Sequence, residues 1–221
     1  MTRNTNARIA GVALLAYIAV GITDMVINGR AKAGADAGAK LASMAQHSSA
    51  IRITVLLGTV EVFCALVLAV TLWAITRDVD ADLAMMGLVS RAAEGVLGAL
   101  ALPRTLSLLW LATATEMDPA ASRALGSYLF NGGAGVAFTA TFFAVGSLLF
   151  AWLLLRGRMI PAALAWIGVI ASALLVIWLP LQLAGFLPNA TWIWFPMLFF
   201  EIPLAVWFLI KGVAPPRTQP T

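Results

Sequence analysis

Residues 88–113 read LVSRAAEGVLGALALPRTLSLLWLAT, an apolar run long enough to cross a bilayer as an α-helix. The run nevertheless holds three ionisable side chains, Arg91, Glu94 and Arg104. Backbone groups in lipid must be hydrogen-bonded within their own segment, and no run here alternates like a barrel strand. The sequence therefore predicts an all-α, polytopic membrane protein with one bundle of transmembrane helices. The six predicted spans are residues 9–28, 51–75, 88–113, 125–155, 161–184 and 191–210.

The composition is that of a membrane protein. Hydrophobic residues make up 62% of the chain, charged residues 11%, and the mean hydropathy is +0.94. A soluble domain carries about 25% charged residues to form its polar surface. We therefore expect residues 1–212 to form a single transmembrane domain whose main partner is the lipid bilayer, and the tail 213–221 to be disordered. The segment 29–50 is expected to form either a short surface helix or a mobile loop.

The distribution of Lys and Arg predicts the orientation. An even number of spans places both termini on one side of the membrane. Seven basic residues fall on that side: Arg3, Arg8, Arg77, Arg156, Arg158, Lys211 and Arg217. Five fall opposite: Arg30, Lys32, Lys40, Arg52 and Arg123. The positive-inside rule therefore predicts cytoplasmic termini. The first run is longer than the apolar core of a signal peptide, so we expect it to be a retained helix.

Several kinds of chemistry lack the residues that they need. The single histidine, His47, excludes a haem with two histidine ligands and a multi-histidine zinc site. The single cysteine, Cys64, excludes an internal disulfide. The glycine cluster at 132–135 lies in an apolar helix with no preceding strand, so it is not a nucleotide-binding loop. The net charge of +4 is scattered over short loops. We therefore expect no catalytic centre, no cofactor, no metal and no nucleic acid partner.

Short motifs in a fixed order indicate a family. They are residues 8–12, Arg52 at the start of the second helix, the Arg91-x-x-Glu94 pair, residues 154–161, and the stretch from Phe195-Pro196 through Glu201 to Gly212. Together they resemble the bacterial membrane family catalogued as domain of unknown function 4386. The resemblance implies a six-helix, multi-pass protein of the bacterial cytoplasmic (inner) membrane with no assigned activity. It also implies that Arg91, Glu94 and Glu201 stand at characteristic polar positions of that family.

Apart from Asp24 and Arg52 near the span ends, five charged side chains lie within the predicted spans: Glu61, Arg91, Glu94, Arg104 and Glu201. A charge at bilayer depth costs at least about 2.5–3.5 kcal/mol, so each one needs a partner or a purpose. From the helical rise, Glu61 and Arg104 share the outer half, whereas the other three lie in the inner half and the middle. Arg91 and Glu94 are three residues apart and share a helix face. We therefore predict an ion network that joins the second, third and sixth spans, or a ligand or ion site built on the same residues.

Proline residues accompany two of these charges. Pro196 and Pro203 bracket Glu201, and Pro103 precedes Arg104. Each proline in a helix interior removes a backbone donor and is expected to free the carbonyl four residues earlier. Broken helices beside a midplane carboxylate are a feature of ion-coupled transporters, but structural helices also kink at proline.

The fourth predicted span is rich in small residues, which predicts a close packing surface. The residues that form it are Gly133, Ala137, Ala140 and Ala144. The surface could pack on another helix of this chain, on a partner protein or on a second copy.

Two functions fit these residues best. The first is a non-enzymatic accessory, interaction or structural component whose buried charges are paired and dry. The alternative is a small transporter or sensor that binds an ion, a proton or a small polar ligand through midplane carboxylates, at least one of which then faces a wet cavity. An intramembrane enzyme fits less well, because no nucleophile or metal set accompanies the carboxylates.

Overall fold

The computed structural model describes residues 1–114, 117–131 and 134–216. Within these ranges the chain is helical and contains no strand. The α-helices are α1 (Arg3–Ala31), α2 (Ala37–Gln46), α3 (Ser48–Thr76), α4 (Ala81–Ala99), α5 (Ala101–Thr113), α6 (Pro119–Asn131), α7 (Ala134–Arg156), α8 (Ala162–Leu183) and α9 (Phe195–Ile210). A short 3-10 helix, Thr191–Trp194, leads into α9.

Six helical segments in the described ranges are long and apolar enough to cross a membrane, which confirms the predicted all-α architecture. They are Arg3–Ala31, Ser48–Thr76, Ala81–Thr113, Val136–Arg156, Ala162–Leu183 and Thr191–Ile210. The first begins at Arg3, six residues before the predicted start, because Thr2 caps it by accepting the Thr5 N–H. The third consists of α4 and α5, which meet at Leu100.

The predicted fourth span, 125–155, differs from the structure, which has two helices there, α6 and α7. The amide of Ala121 donates to the Asp118 carboxylate (3.0 Å), and Pro119 occupies the first helical position. These are helix-start signals that a search for apolar runs overlooks. Helix α6 packs on α2 and α5, and the membrane-spanning part begins at Val136. Residues 132 and 133, among them the predicted packing residue Gly133, lie outside the described residues.

The six spans form a closed ring in chain order. Helix α1 packs on α3, α3 on α4, α4 on α7, α7 on α8, α8 on α9, and α9 again on α1. The ring closes tightly, since a Cβ atom on Gly11 of α1 would lie 2.8 Å from the carbonyl oxygen of Ala205 on α9. The hydrophobic core fills the interior, with Leu68, Leu175 and Phe208 fully buried.

Both ends of the chain meet at one end of the ring, which we call the terminal end. The amide of Val213 donates to the Asn4 side-chain oxygen (3.1 Å), and Ala214 donates to the Met159 carbonyl (3.0 Å). The tail predicted to be disordered from residue 213 is therefore anchored at its first two residues; 217–221 lie outside the described residues.

The terminal end also carries a capped and paired carboxylate. Asp80, just before α4, accepts the Leu83 N–H (3.1 Å) and an Arg156 N–H (2.9 Å). The Leu83 hydrogen bond, followed by Arg156, holds the pKa of Asp80 below its ordinary value. This contact joins the α3–α4 connection to the end of α7.

The opposite end of the ring, which we call the cap end, carries the two short helices α2 and α6. The segment 29–50 thus contains a helix, whose N-terminus is capped by Asp36 through the Ala39 N–H (2.8 Å). Met44 of α2 is fully buried in a small apolar cluster with Leu41 and residues of α5. Close packing of α6 on α2 leaves a Cβ on Gly126 only 2.8 Å from Leu41.

The small residues predicted to form a packing surface lie on α7. Ala137, Ala140 and Ala144 are all buried, and α7 packs between α4 and α8 of the same chain. Their face is therefore covered by helices of this protein.

Candidate functional site

Arg91 is the centre of the buried polar cluster. It lies on α4 with only 2% of its surface exposed. Its side chain crosses the face of α7 where Gly146 leaves room, since a Cβ there would lie 2.7 Å from Arg91 Cγ. The guanidinium then lies over the ring of Phe143 (4.7 Å to the centroid) and more distantly over Tyr17 (5.8 Å). Aromatic faces attract a guanidinium, so these rings partly offset its loss of water.

Glu94 is the direct partner of Arg91. The Arg91 Nη1 and Glu94 Oε2 atoms are 2.8 Å apart, on one face of α4 as the three-residue spacing predicts. The other carboxylate oxygen, Oε1, accepts a hydrogen bond from the Tyr17 hydroxyl on α1 (2.7 Å). Glu94 is 4% exposed. The pair therefore connects α4 to α1, a helix that sequence reasoning did not include in the network.

The ion pair does not satisfy all of its polar atoms. Arg91 Nε and Nη1 and Glu94 Oε2 are buried without a hydrogen-bond partner, although Nη1 and Oε2 are at ion-pair distance. The Nη1 and Oε2 atoms therefore attract each other by charge, while the N–H bonds of Nη1 point elsewhere. Buried polar atoms of this kind are usually satisfied by water.

Glu201 faces the same cluster from α9. It is 7% exposed and accepts no hydrogen bond from the described residues. Together with Arg91 and Ser147 it lines a cavity of about 30 Å³, whose remaining walls are apolar side chains such as Phe150 and Phe208. A cavity needs roughly 10–15 Å³ for each water, so this one has room for about two. It is far smaller than the roughly 300–1,000 Å³ of a pocket for an organic ligand.

The prolines near Glu201 behave differently from each other. Pro203 lies inside α9, so the carbonyl of Phe199 loses its helical donor as expected. Pro196 lies in the first turn of α9, where a helix needs no amide donor, so the expectation of a second break was wrong. The Trp192 carbonyl, expected to be free, accepts the Phe195 N–H.

Glu61 lies apart from the Arg91 cavity, in the contact between α3 and α1. It is half-buried, and its Oε1 sits directly over Gly21, where a Cβ would be 2.7 Å away. Its acidic neighbours are Asp24 on α1 and Glu94 on α4. Asp24 itself accepts a hydrogen bond from Asn28 (2.8 Å).

Arg104 and Glu61, which are predicted to share the outer half, contact different helices. It lies on α5, half-buried, and donates a hydrogen bond to the carbonyl of Leu129 on α6. Pro103 beside it is exposed, in the first turn of α5 after the break at Leu100. Arg104 thus ties α5 to the cap end.

Lys32 lies near Arg104. Burial lowers the pKa of the Lys32 ammonium group; the negative charge of Asp24 opposes this shift, and the positive charge of Arg104 adds to it.

The residues that sequence reasoning missed carried a weak signal. Tyr17 is one of only two tyrosines, and it stands in the middle of an apolar helix, where a phenol needs a partner. Ser147 similarly occurs in a run of apolar residues on α7. Neither is charged, so neither stands out in a search for intramembrane ions.

The arrangement can hold protons and water, but it offers little for a metal. Within the described ranges, no group of three or more His, Cys, Asp and Glu side chains converges on one point. The polar cluster contributes two carboxylates, one guanidinium, one phenol and one hydroxyl. These groups can bind water, exchange protons and hold helices together.

The six-span ring with its buried ion pair is the architecture of a multi-pass helical membrane protein. A family model described as Domain of unknown function (DUF4386) matches residues 9–212. The chain belongs to this family, which confirms the resemblance seen in its motifs. No curated protein and no solved structure matches the chain.

Proposed function

We propose that this protein is a non-enzymatic accessory, interaction or structural component of the bacterial cytoplasmic membrane, with both termini in the cytoplasm. The excess of basic residues at the terminal end supports this orientation. The resemblance of its motifs to a bacterial family supports the location. Since Ala137, Ala140 and Ala144 are covered within the chain, a protein partner or second copy would use another surface.

One observation carries the proposal: the buried cluster reaches several helices but surrounds almost no space. Arg91 and Glu94 belong to α4, Tyr17 to α1, and the glycine that admits Arg91 to α7. Glu201 of α9 borders the same cavity of about 30 Å³. A cluster that connects four helices around room for two waters supports a role in holding the ring together.

The proposal can be tested with the two tyrosines as a matched pair. We expect Tyr17→Phe to lower the free energy of unfolding in lipid nanodiscs by about 1–2 kcal/mol, because Glu94 loses a hydrogen bond across helices. Tyr128→Phe is the control, since Tyr128 is 75% exposed and should change stability little. Equal stability of the two variants would contradict a structural role for the cluster.

A second candidate, a proton or ion sensor or transporter, is favoured by Glu201. This carboxylate borders the cavity beside Arg91 and accepts no hydrogen bond from the described residues. Comparing wild type with Glu201→Gln between about pH 5 and pH 8 separates the two functions. Loss of stability at every pH supports the structural role. A pH-dependent transition in wild type that Glu201→Gln abolishes supports the sensor or transporter, and proton flux into proteoliposomes then decides between those two.

A further inference from the structure

The first membrane helix carries polar and small residues along one face. Tyr17, Gly21, Asp24 and Asn28 follow one another at intervals of four, three and four residues, which places them on one side of α1. This side lies against α3, because the Glu61 carboxylate sits directly over Gly21. We call this line of five residues along the contact of the two helices the α1–α3 groove.

Hydrogen bonds occur at both ends of the groove. Towards the cap end, Asn28 Nδ2 donates to Asp24 Oδ2 (2.8 Å). At the inner end, the Tyr17 hydroxyl donates to Glu94 (2.7 Å), a side chain more than nine-tenths buried. Near the cap end, Asn28 Oδ1 is also buried without a hydrogen-bond partner among the described residues, whereas Glu94 Oε2 is paired with Arg91. A buried atom such as Asn28 Oδ1 marks a position where ordered water binds in proteins.

Glu61, in the middle of the groove, faces charges of its own sign. Asp24 from α1 and Glu94 from α4 are its acidic neighbours, and Lys32 directly after α1 lies near Asp24. Arg91 of α4 is already paired with Glu94. A carboxylate inside the membrane with acidic neighbours carries an uncompensated charge, which protonation removes.

Basic side chains on three other helices packed against α3 contact other groups. Arg104 of α5 is directed to the Leu129 carbonyl. On α2, Lys40 lies over the ring of Phe130. The charged residue of α7, Arg156, bonds Asp80 at the terminal end.

We propose that Glu61 binds a proton that enters from the cap end through the α1–α3 groove. A hydronium carried by water near Asp24 and Asn28 transfers its proton to the Glu61 carboxylate, which leaves a neutral carboxylic acid and a water molecule. The path continues through Tyr17 to Glu94 and stops at Arg91, because a fixed positive charge repels protons, as it does in selective pores. The groove is then a half-path open to one side. It goes beyond the structural function and does not depend on it.

Infrared difference spectroscopy on the protein in lipid tests both parts of this proposal. Lowering the pH from about 8 to about 5 should produce the C=O band of a protonated carboxyl that is absent in Glu61→Gln. In D2O, the exchange of this band reports access to water. Asn28→Leu should slow that exchange by about tenfold or more, since it removes the polar entry beside Asp24. Asp36→Asn, at the exposed cap of α2 and outside the groove, should leave the rate unchanged.

Two results would overturn the proposal. If Glu61→Gln removes no protonated-carboxyl band, Glu61 remains ionised and does not bind the proton. If the band is present but exchanges equally fast in wild type and Asn28→Leu, the proton does not enter through the groove. Thermal unfolding of each variant shows whether it is folded. The tyrosine comparison tests the structural function separately, so the two proposals can fail independently.

Discussion

Replacing Arg91 by methionine tests the central contact of the ring. Methionine has a similar length and no charge, so Arg91→Met keeps much of the packing beneath Gly146 but leaves Glu94 as a buried, unpaired carboxylate. Breaking a buried ion pair on one side costs about 3–5 kcal/mol. An isolated charge in a membrane helix costs about 2.5–3.5 kcal/mol. The Tyr17 hydroxyl still donates to Glu94, so we expect the lower part of this range, about 3 kcal/mol.

The double variant Arg91→Met/Glu94→Gln tests whether the loss of stability in Arg91→Met comes from the unpaired charge of Glu94. It removes both charges, and replacing a whole buried pair is often nearly neutral. We therefore expect the double variant to be more stable than Arg91→Met alone, measured by denaturant unfolding in lipid nanodiscs. Arg52→Met is the matched control, because Arg52 is exposed on α3 and its loss should cost within about 0.5 kcal/mol. The reasoning is refuted if Arg91→Met is as stable as wild type, or if the second substitution only adds to its loss.

Two further predictions concern other contacts. Gly146→Ala should destabilise the protein by about 1–3 kcal/mol, because the new methyl group would lie 2.7 Å from Arg91 Cγ, whereas Gly29→Ala, with no atom within 4 Å of the new group, should not. Equal melting temperatures for these two variants would rule out the close approach of α4 and α7. Asp80→Ala should lower the melting temperature at neutral pH, because the Leu83 hydrogen bond lowers the pKa of Asp80 and so stabilises the folded state wherever the carboxylate is ionised. That difference should shrink as the pH falls below about 4, and a difference that does not change with pH would contradict it.

Hydropathy predicts the spans well because the bilayer imposes one physical requirement on every helix. The Arg91–Glu94 pair is predictable for a different reason. A spacing of three residues on a helix brings two side chains together whatever the rest of the fold does. These parts of the structure depend on local geometry alone, so they are visible in a single sequence.

The partners across helices could not be predicted, because a sequence gives the depth of a residue but not the rotation of its helix. Glu61 and Arg104 lie on consecutive spans, yet the first faces α1 and the second faces α6. For the same reason Tyr17 was overlooked, since only the packing of α1 in the ring brings its hydroxyl to Glu94. Which face of a helix turns inwards is decided by all of its neighbours together.

Two helices begin at local start signals that hydropathy does not detect. Asp118 and Pro119 begin α6 before the predicted start of the fourth span at residue 125, and Pro196 lies in the first turn of α9 inside the predicted sixth span. A proline in the first turn costs no helical hydrogen bond, whereas one in the interior, such as Pro203, removes one. To tell a first-turn proline from an interior one, the first residue of the helix must be known, and hydropathy does not identify that residue.

The closed ring has a consequence for how the protein is made. Of the six spans, the ribosome delivers α1 first and α9 last, yet these two are neighbours in the finished ring. The contact of Gly11 with α9 and the hydrogen bond from Val213 to Asn4 can therefore form only after the sixth span has entered the membrane. Until then the gap reserved for α9 leaves Arg91 without Glu201, and a polar side of the interior faces lipid or the insertion machinery. Biogenesis of this protein thus includes a stage in which five helices are in the membrane and the ring is still open.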